Sequence, residues 1–263
     1  MSLVNGSTDI ANHVAQWHEQ GYTVVSGVVE QPEIARLREA VDAALDADWE
    51  RYGRLPGKER FIALDLTQYG GPFLDLLDND RLDALFGAIL GERWVLYSYT
   101  STVALAKTEQ YTANIHTDTF RWSPDYDLGA VMTVALDDFT CENGATYYLP
   151  GSHLTHREAP SEDEFYDGAV RVVRQAGDAV FFHPRVWHAG GHNETDRTRS
   201  GLTVYGCRSF MKQRLDFPRL LEPGMVGSSE RLRRILGFDV RVPTTMEEFY
   251  RPPDQRLYKG GQG

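Results

Sequence analysis

The sequence predicts a mainly β protein, a barrel- or sandwich-like core flanked by helices at both ends. Over about the first 92 residues, apolar side chains recur every three or four positions and Gly or Pro marks the ends of the runs, as amphipathic helices require. From Arg93 the chain breaks into short runs rich in β-branched and aromatic residues, the composition of half-buried strands. Glu142-Asn143-Gly144, Pro150-Gly151-Ser152 and Gly177-Asp178 are turn formers between those runs. Many short strands punctuated in this way close into sandwiches or barrels.

Each element has its own justification. Thr8 or Asp9 caps a first helix whose Ile10, Val14 and Trp17 share one face and which Gly21 stops. Tyr22–Val25 is a short strand. Pro32 sits in the first turn of a second helix, where its missing N–H costs nothing, and Ile34, Leu37, Val41 and Leu45 form the buried stripe. Leu82, Leu85, Phe86 and Ile89 mark a third helix over Arg81–Leu90, closed by Gly91. Strands are expected over Trp94–Ala106, Ala113–Thr119, Ala130–Leu136, Ala145–Tyr148, Ala169–Val173, Ala179–His183 and Gly201–Arg208. Short helices are expected around Glu230–Leu236 and Thr244–Tyr250. The chain, 1–263, reads as one domain: 1–92 mostly helical, 93–210 the β core, 211–263 a helical extension with a Gly-rich tail.

Composition narrows the partners. A content of 41% hydrophobic and 25% charged residues is that of a soluble globular chain. The net charge of −11 argues against nucleic acid or an anionic membrane as the main partner, since both demand clustered cations. Cys141 and Cys207 stand in no metal or redox spacing, and neither a leader peptide nor a membrane-length apolar run is visible. A cytoplasmic protein with a small-molecule substrate is the expectation.

The chemistry-bearing residues begin with His116-Thr117-Asp118. Two apart on a strand, His116 and Asp118 project from one face and offer a divalent metal an imidazole and a carboxylate. One more histidine completes the 2-His-1-carboxylate triad of non-haem iron oxygenases, which keeps open positions. In isolation a His-x-Asp is more simply a packed histidine beside a capping aspartate. Three histidines fall within His183–His192, however. His183 ends a strand before Pro184, His188 follows Val186-Trp187, and His192 follows Gly190-Gly191. Arg197 and Arg199 precede the next strand-like run, and a guanidinium can hold a carboxylate by two parallel hydrogen bonds without losing its charge. A metal triad beside such an arginine suits chelation of a 2-oxo acid. On the residues alone, the three histidines and the two arginines remain alternatives.

His116-x-Asp118, the run Glu142-Asn-Gly-Ala-Thr-Tyr-Tyr-Leu-Pro-Gly-Ser-His153, Gly177-Asp-Ala-Val-Phe-Phe182, and Trp187-His188 with Asn193 and Arg199 resemble the phytanoyl-CoA dioxygenase (PhyH) family of iron(II)- and 2-oxoglutarate-dependent oxygenases. Gln16–Val25 and the Pro32 helix resemble its N-terminal segment. The resemblance implies a double-stranded β-helix (jelly-roll, cupin-like) core. It implies His116, Asp118 and His188 as iron ligands, Arg199 as partner of the 2-oxoglutarate C5 carboxylate, and O2 as the second cosubstrate. A hydroxyl from Thr133 near the cosubstrate is a further expectation. The implied reaction is hydroxylation of an unactivated C–H bond in a small metabolite, with release of succinate and CO2. Desaturation, epoxidation and ring formation draw on the same oxidant. Halogenation is disfavoured, because halogenating relatives carry a small residue in place of Asp118. Two other classes compete: a cupin-type metal enzyme needing no oxo acid, which would tolerate loss of Arg199, and a non-catalytic barrel protein.

Other residues have plainer readings. His153 and His156 are expected at a turn and on the surface, and Glu158, Glu162, Asp163 and Glu164 in a solvated loop or lid. Arg231, Arg233 and Arg234 are expected on a solvated helix face. Trp122, Tyr126 and Trp187 are core aromatics or the wall of an apolar pocket. Specificity is expected from Arg51–Tyr69, the acidic loop and the segment beyond Phe217.

Overall fold

The computed structural model describes residues 3–107, 113–119, 121, 123, 126–155, 158–222 and 224–261, with side chains from Asp9 onward. Trp122, His156 and the Thr8 side chain lie outside the described residues. In chain order the structure runs α1 (Leu3–Gln20), β1 (Tyr22–Val25), α2 (Gln31–Tyr52), α3 (Pro72–Leu77), α4 (Asp80–Leu90), β2 (Val95–Ala104), β3 (Gly129–Ala135) and β4 (Tyr147–Tyr148). It continues through α5 (Glu162–Gly168), β5 (Val170–Arg171), β6 (Ala179–Phe182), β7 (His188–Ala189), β8 (Arg199–Cys207), α6 (Phe217–Leu220), α7 (Glu230–Ile235) and α8 (Met246–Phe249).

All strand pairings are antiparallel. A major sheet has the order β1-β6-β3-β8-β2 and a minor sheet β5-β4-β7. Side chains alternate between the faces of a strand, and that alternation divides the interior in two. Met132, Val134, Phe181, Leu202 and Val204 join Trp17, Leu37, Val41, Leu82 and Phe86 in the largest core cluster, under the helices. From the opposite face Val131, Val180 and Phe182, with Tyr22, meet Tyr148 of the minor sheet and Val186. The two sheets form a double-stranded β-helix with helices packed outside the major sheet.

The short strand after the first helix is more than a connector: Tyr22–Val25 pairs with Phe182–Ala179 at the edge of the major sheet. Gly21 permits the turn into it. Its φ is +86°, and a Cβ there would lie 2.6 Å from His153 Nδ1. His153 is therefore buried rather than on the surface, with Nε2 3.0 Å from the His18 carbonyl.

Several boundaries differ from expectation for physical reasons. The first helix begins at Leu3, so Thr8 and Asp9 lie inside it and Asp9 instead accepts from Arg81 at 2.9 Å. The third helix is capped by Asn79, whose side chain accepts from the Arg81 and Leu82 N–H groups. Ala113–Thr119 contributes one bridge residue, His116, in place of a strand. Opposite it runs Pro184, which accepts from the N–H groups of Asp118 and Thr119 but has none to return, so a ladder cannot propagate.

Glu162, Asp163 and Glu164 form the first turn of α5 rather than a loop. Ser161 and Glu164 build a reciprocal capping box there, and the acidic charges suit the positive end of the helix. Arg231 and Arg234 are no solvated face either. They tie α7 to α4, with Arg231 bound to Asp80 and Asp83, and Arg234 Nη2 2.6 Å from Asp83 Oδ1. Arg233 instead lies over the Phe238 ring. Among the described residues no helix is long and apolar enough to cross a membrane.

Candidate metal centre

Strand register places the histidines. Tyr148 of β4 is opposite His188 of β7, and His116 bridges His188 from the other side with two N–H···O=C bonds of 3.0 Å. Residues directly opposite in a ladder project to one face, so Tyr148, His188 and His116 form a row facing the interior. Asp118 is held by its N–H to the Pro184 carbonyl at 2.8 Å. One ligand atom from each of His116, Asp118 and His188 can be chosen so that all lie within 4.8 Å of one another.

Local hydrogen bonds settle which ring nitrogens face inward. His116 Nδ1 is 2.7 Å from the Asn114 carbonyl, and His188 Nδ1 is 2.9 Å from the Val186 carbonyl. A carbonyl only accepts, so each Nδ1 carries the proton and each Nε2 presents a lone pair. Burial holds the His188 pKa below its usual value, which favours the neutral ring. Tyr148 stacks on that ring at 5.7 Å and Phe182 meets its edge at 5.1 Å. Two imidazoles and one carboxyl group, oriented before any ion arrives, fit a divalent cation and leave coordination positions free.

Arg199 is the first residue of β8 and is 2% exposed. It shares the interior face of that strand with Thr203 and Tyr205. Its Nε and Nη1 are buried without a hydrogen-bond partner among the described residues, and its guanidinium carbon lies 3.9 Å over the Phe139 ring. Burial first, and the like charge of Arg174 second, push its pKa down to about 9, which still leaves it charged at neutral pH. Asn193 fixes the loop ahead of it. The Asn193 amide donates to the Ala104 and Arg197 carbonyls at 3.1 and 2.8 Å while its oxygen accepts from Thr195. Gly144 lets a neighbouring turn close on this loop. Its φ is +88°, and a Cβ there would collide with the Gly191 carbonyl.

The rival residues lie elsewhere. Arg197 and His192 are exposed in the loop. His183 turns away to Asp127, with Nε2 3.3 Å from Oδ1, and packs on Trp17 at 4.8 Å. Thr133 is buried on the interior face with Oγ1 3.3 Å from Thr203 Oγ1. Trp187 is core, packed with Phe165 and Ala189. Tyr126 is 46% exposed beneath Arg208. Three interior residues escaped the sequence reading: Tyr148, Phe139 and Arg174. The Tyr147-Tyr148 pair held a usable signal, since on any strand one of two adjacent residues must face inward.

Comparison with known proteins agrees with this architecture. The phytanoyl-CoA dioxygenase (PhyH) family profile matches residues 17–201. The Mycobacterium tuberculosis protein Rv1501 is 29% identical over 256 residues, covering 92% of each chain. Dioxygenase ALT11 of Alternaria alternata is 27% identical over 267 residues, covering 91% of this chain and 85% of its own. Among solved structures, the epimerase SnoN, in complex with Fe3+, alpha ketoglutarate and nogalamycin RO, superposes with a TM-score of 0.61 at 22% identity. That match covers 76% of this chain and 84% of SnoN. With the family profile spanning well over half of its length, and a His-Asp-His cluster inside a double-stranded β-helix, the chain belongs to the phytanoyl-CoA dioxygenase (PhyH) family.

Proposed function

We propose that this protein is an iron(II)- and 2-oxoglutarate-dependent oxygenase that hydroxylates an unactivated C–H bond of a small metabolite, with release of succinate and CO2. The observation that carries this reading is the convergence of His116, Asp118 and His188 within 4.8 Å, with both Nε2 atoms turned inward. Iron(II) held there supplies, with 2-oxoglutarate and O2, the oxidising power for C–H chemistry.

The chain's own residues have four tasks. His116, Asp118 and His188 hold the metal on one face and leave the opposite face for ligands. The Asn114 and Val186 carbonyls fix the two rings so that neither pivots when a ligand arrives. Arg199 takes the far carboxylate of the oxo acid, and its unmet N–H groups are the donors for that bond. Tyr148, Phe182, Val131 and Val180 keep water from the metal-facing interior.

The deciding experiment is an anaerobic titration of iron(II)-loaded protein with 2-oxoglutarate, watching for the weak visible charge-transfer band of the chelate. The band is expected in the wild type and absent in His188→Ala. Iron binding without a band favours a metal enzyme that uses no oxo acid, and a band indifferent to Arg199→Ala removes Arg199 as the carboxylate's partner. A second outcome of the chemistry, stereochemical inversion, is suggested by the fold likeness to a protein described as an epimerase. Turnover under labelled O2 separates the two, because hydroxylation leaves one labelled oxygen in the product and inversion leaves none.

A further inference from the structure

We propose that Arg174 and Arg199 form a two-guanidinium clamp for the far carboxylate of the cosubstrate, which makes Arg174 a second positioning residue for 2-oxoglutarate. This rests on the oxygenase reading above and extends it to a residue outside the motifs that suggested it.

Arg174 lies shortly after β5 and is 5% exposed. Its backbone pairs with that of Phe139 through N–H···O=C bonds of 2.8 and 3.0 Å. Its guanidinium carbon stands 3.8 Å over the Phe139 ring, the same ring that Arg199 covers at 3.9 Å. Both carbons are therefore within about 8 Å of each other, joined through one aromatic ring. All three Arg174 nitrogens are buried, and among the described residues none has a hydrogen-bond partner. Arg199 adds two more such atoms.

A cation–π contact satisfies none of the five N–H donors of a guanidinium. Unmet buried charge is costly, and two like charges in one interior add repulsion. The nearby acids are already committed. Asp137 pairs with Arg38 at 3.0 Å and accepts from the Ser200 N–H at 2.8 Å. Asp178 accepts from the Gly27 and Gln175 N–H groups at 2.9 and 3.1 Å. The arrangement is therefore built for an anion arriving from outside the chain.

That anion belongs to the same interior as the metal centre. Tyr148 stacks on His188, and its hydroxyl lies within electrostatic reach of Asp118 and of both arginines. The Phe139 ring itself lies against both cations, so a carboxylate seated at its edge, about 4 Å from a guanidinium carbon as in a bidentate pair, can accept from a donor of each arginine. A ligand with one carboxylate on the metal and a second held by the two arginines is a dianion, which matches 2-oxoglutarate and disfavours an oxo acid with an uncharged tail.

The test uses metal-free full-length protein and succinate as the probe, so that binding at the arginine end is read without turnover. Calorimetry and thermal unfolding are run on wild type, Arg174→Met, Arg174→Lys and Arg199→Met. Succinate is expected to stabilise the wild type, and its Kd to rise at least about tenfold in Arg174→Met, with partial recovery in Arg174→Lys. In cobalt(II)-loaded protein the 2-oxoglutarate Kd is expected to rise in parallel while cobalt affinity stays unchanged. The ligand-free melting temperature of Arg174→Met is expected to hold or rise, since a buried unpaired charge has gone.

A merely structural Arg174 gives the opposite pattern: a lower melting temperature with succinate affinity within twofold of wild type. That result, alongside lost binding in Arg199→Met, overturns the clamp and leaves the oxygenase reading standing. If neither arginine variant alters 2-oxoglutarate binding, both arginines leave the cosubstrate site and the clamp falls; only if the wild type binds neither acid does the oxygenase reading fall as well.

Discussion

Asp118 carries the heaviest chemical consequence of any single side chain. It is the only carboxylate in the His-Asp-His cluster, and two imidazoles alone make a poor chelate for iron(II). Asp118→Ala is expected to weaken iron(II) binding by about 100-fold or more, measured by anaerobic metal titration. Metal-supported hydroxylation retained in that variant would remove Asp118 from the ligand set.

His153 makes a different prediction, about stability. Burial first, and neighbouring His183 second, push its pKa down to about 4, against the hydrogen bond to the His18 carbonyl and the charge of Asp127, with Arg185 adding to the fall. The unfolded chain takes up this proton near pH 6.5 and the folded chain does not until about 4. Stability is therefore fully present above pH 6.5, declines across that window by an amount on the order of 3 kcal/mol, and levels off below it. Urea unfolding at intervals from pH 7 to 4 measures the decline. His153→Gln, which can still donate to the His18 carbonyl, is expected to flatten it.

Much of the site was legible at this scale. His116, Asp118 and His188 stand out because few residue types bind metals and their motifs are local in sequence. Arg174 was not legible, because a lone arginine in a strand-like run looks solvated until the fold pairs it with Phe139, 35 positions away.

At the scale of elements, the long helices declared themselves by periodicity, and the short helices expected around Glu230–Leu236 and Thr244–Tyr250 are α7 and α8, whereas α3, α5 and α6 were not expected. The second helix runs 22 residues, enough for Ile34, Leu37, Val41 and Leu45 to repeat. The helix α5 has only seven residues, too few for a period, and its acidic first turn mimics a loop. The Ser161-x-x-Glu164 spacing was the better signal there, because it names the two groups that satisfy each other's orphan donors. The strands β4 and β5 fall within the expected runs Ala145–Tyr148 and Ala169–Val173 but shrink to two residues each, and β7, also two residues, shows no pattern in the sequence, yet β4 and β7 carry Tyr148 and His188.

Helix α4 offers two measurable contributions. Asn79→Ala removes its cap and is expected to cost about 1 kcal/mol in urea unfolding. Asp83→Ala is expected to cost more, about 2–3 kcal/mol, because one carboxylate serves three charged or buried donors. It accepts from Arg231, from Arg234 at 2.6 Å and from Trp94 Nε1 at 2.8 Å. An Asp83→Ala loss no larger than that of Asn79→Ala would mean that the α4–α7 tie is loose in solution.

For the molecule as a whole, the barrel's two walls share the labour unevenly. The three candidate ligands hang together: His116 is bonded to His188, and Asp118 to Pro184, four residues before His188. These three move as one piece with the minor sheet. Arg199 stands on the major sheet, across the interior. A molecule gripped at both ends is then a strut between walls that the chain itself joins mainly through the apolar contacts of Tyr22, Val131, Val180 and Phe182 with Tyr148 and Val186. Amide hydrogen exchange should register the difference. With a metal and 2-oxoglutarate, protection is expected to rise together in β4, β7 and β8; with succinate alone, only β8 and the paired Phe139 and Arg174 segments should slow. Turnover itself would then loosen the barrel, since the five-carbon strut shortens to succinate and lets go of the metal-bearing wall, so that product release begins as a breathing of the fold rather than as the opening of a door.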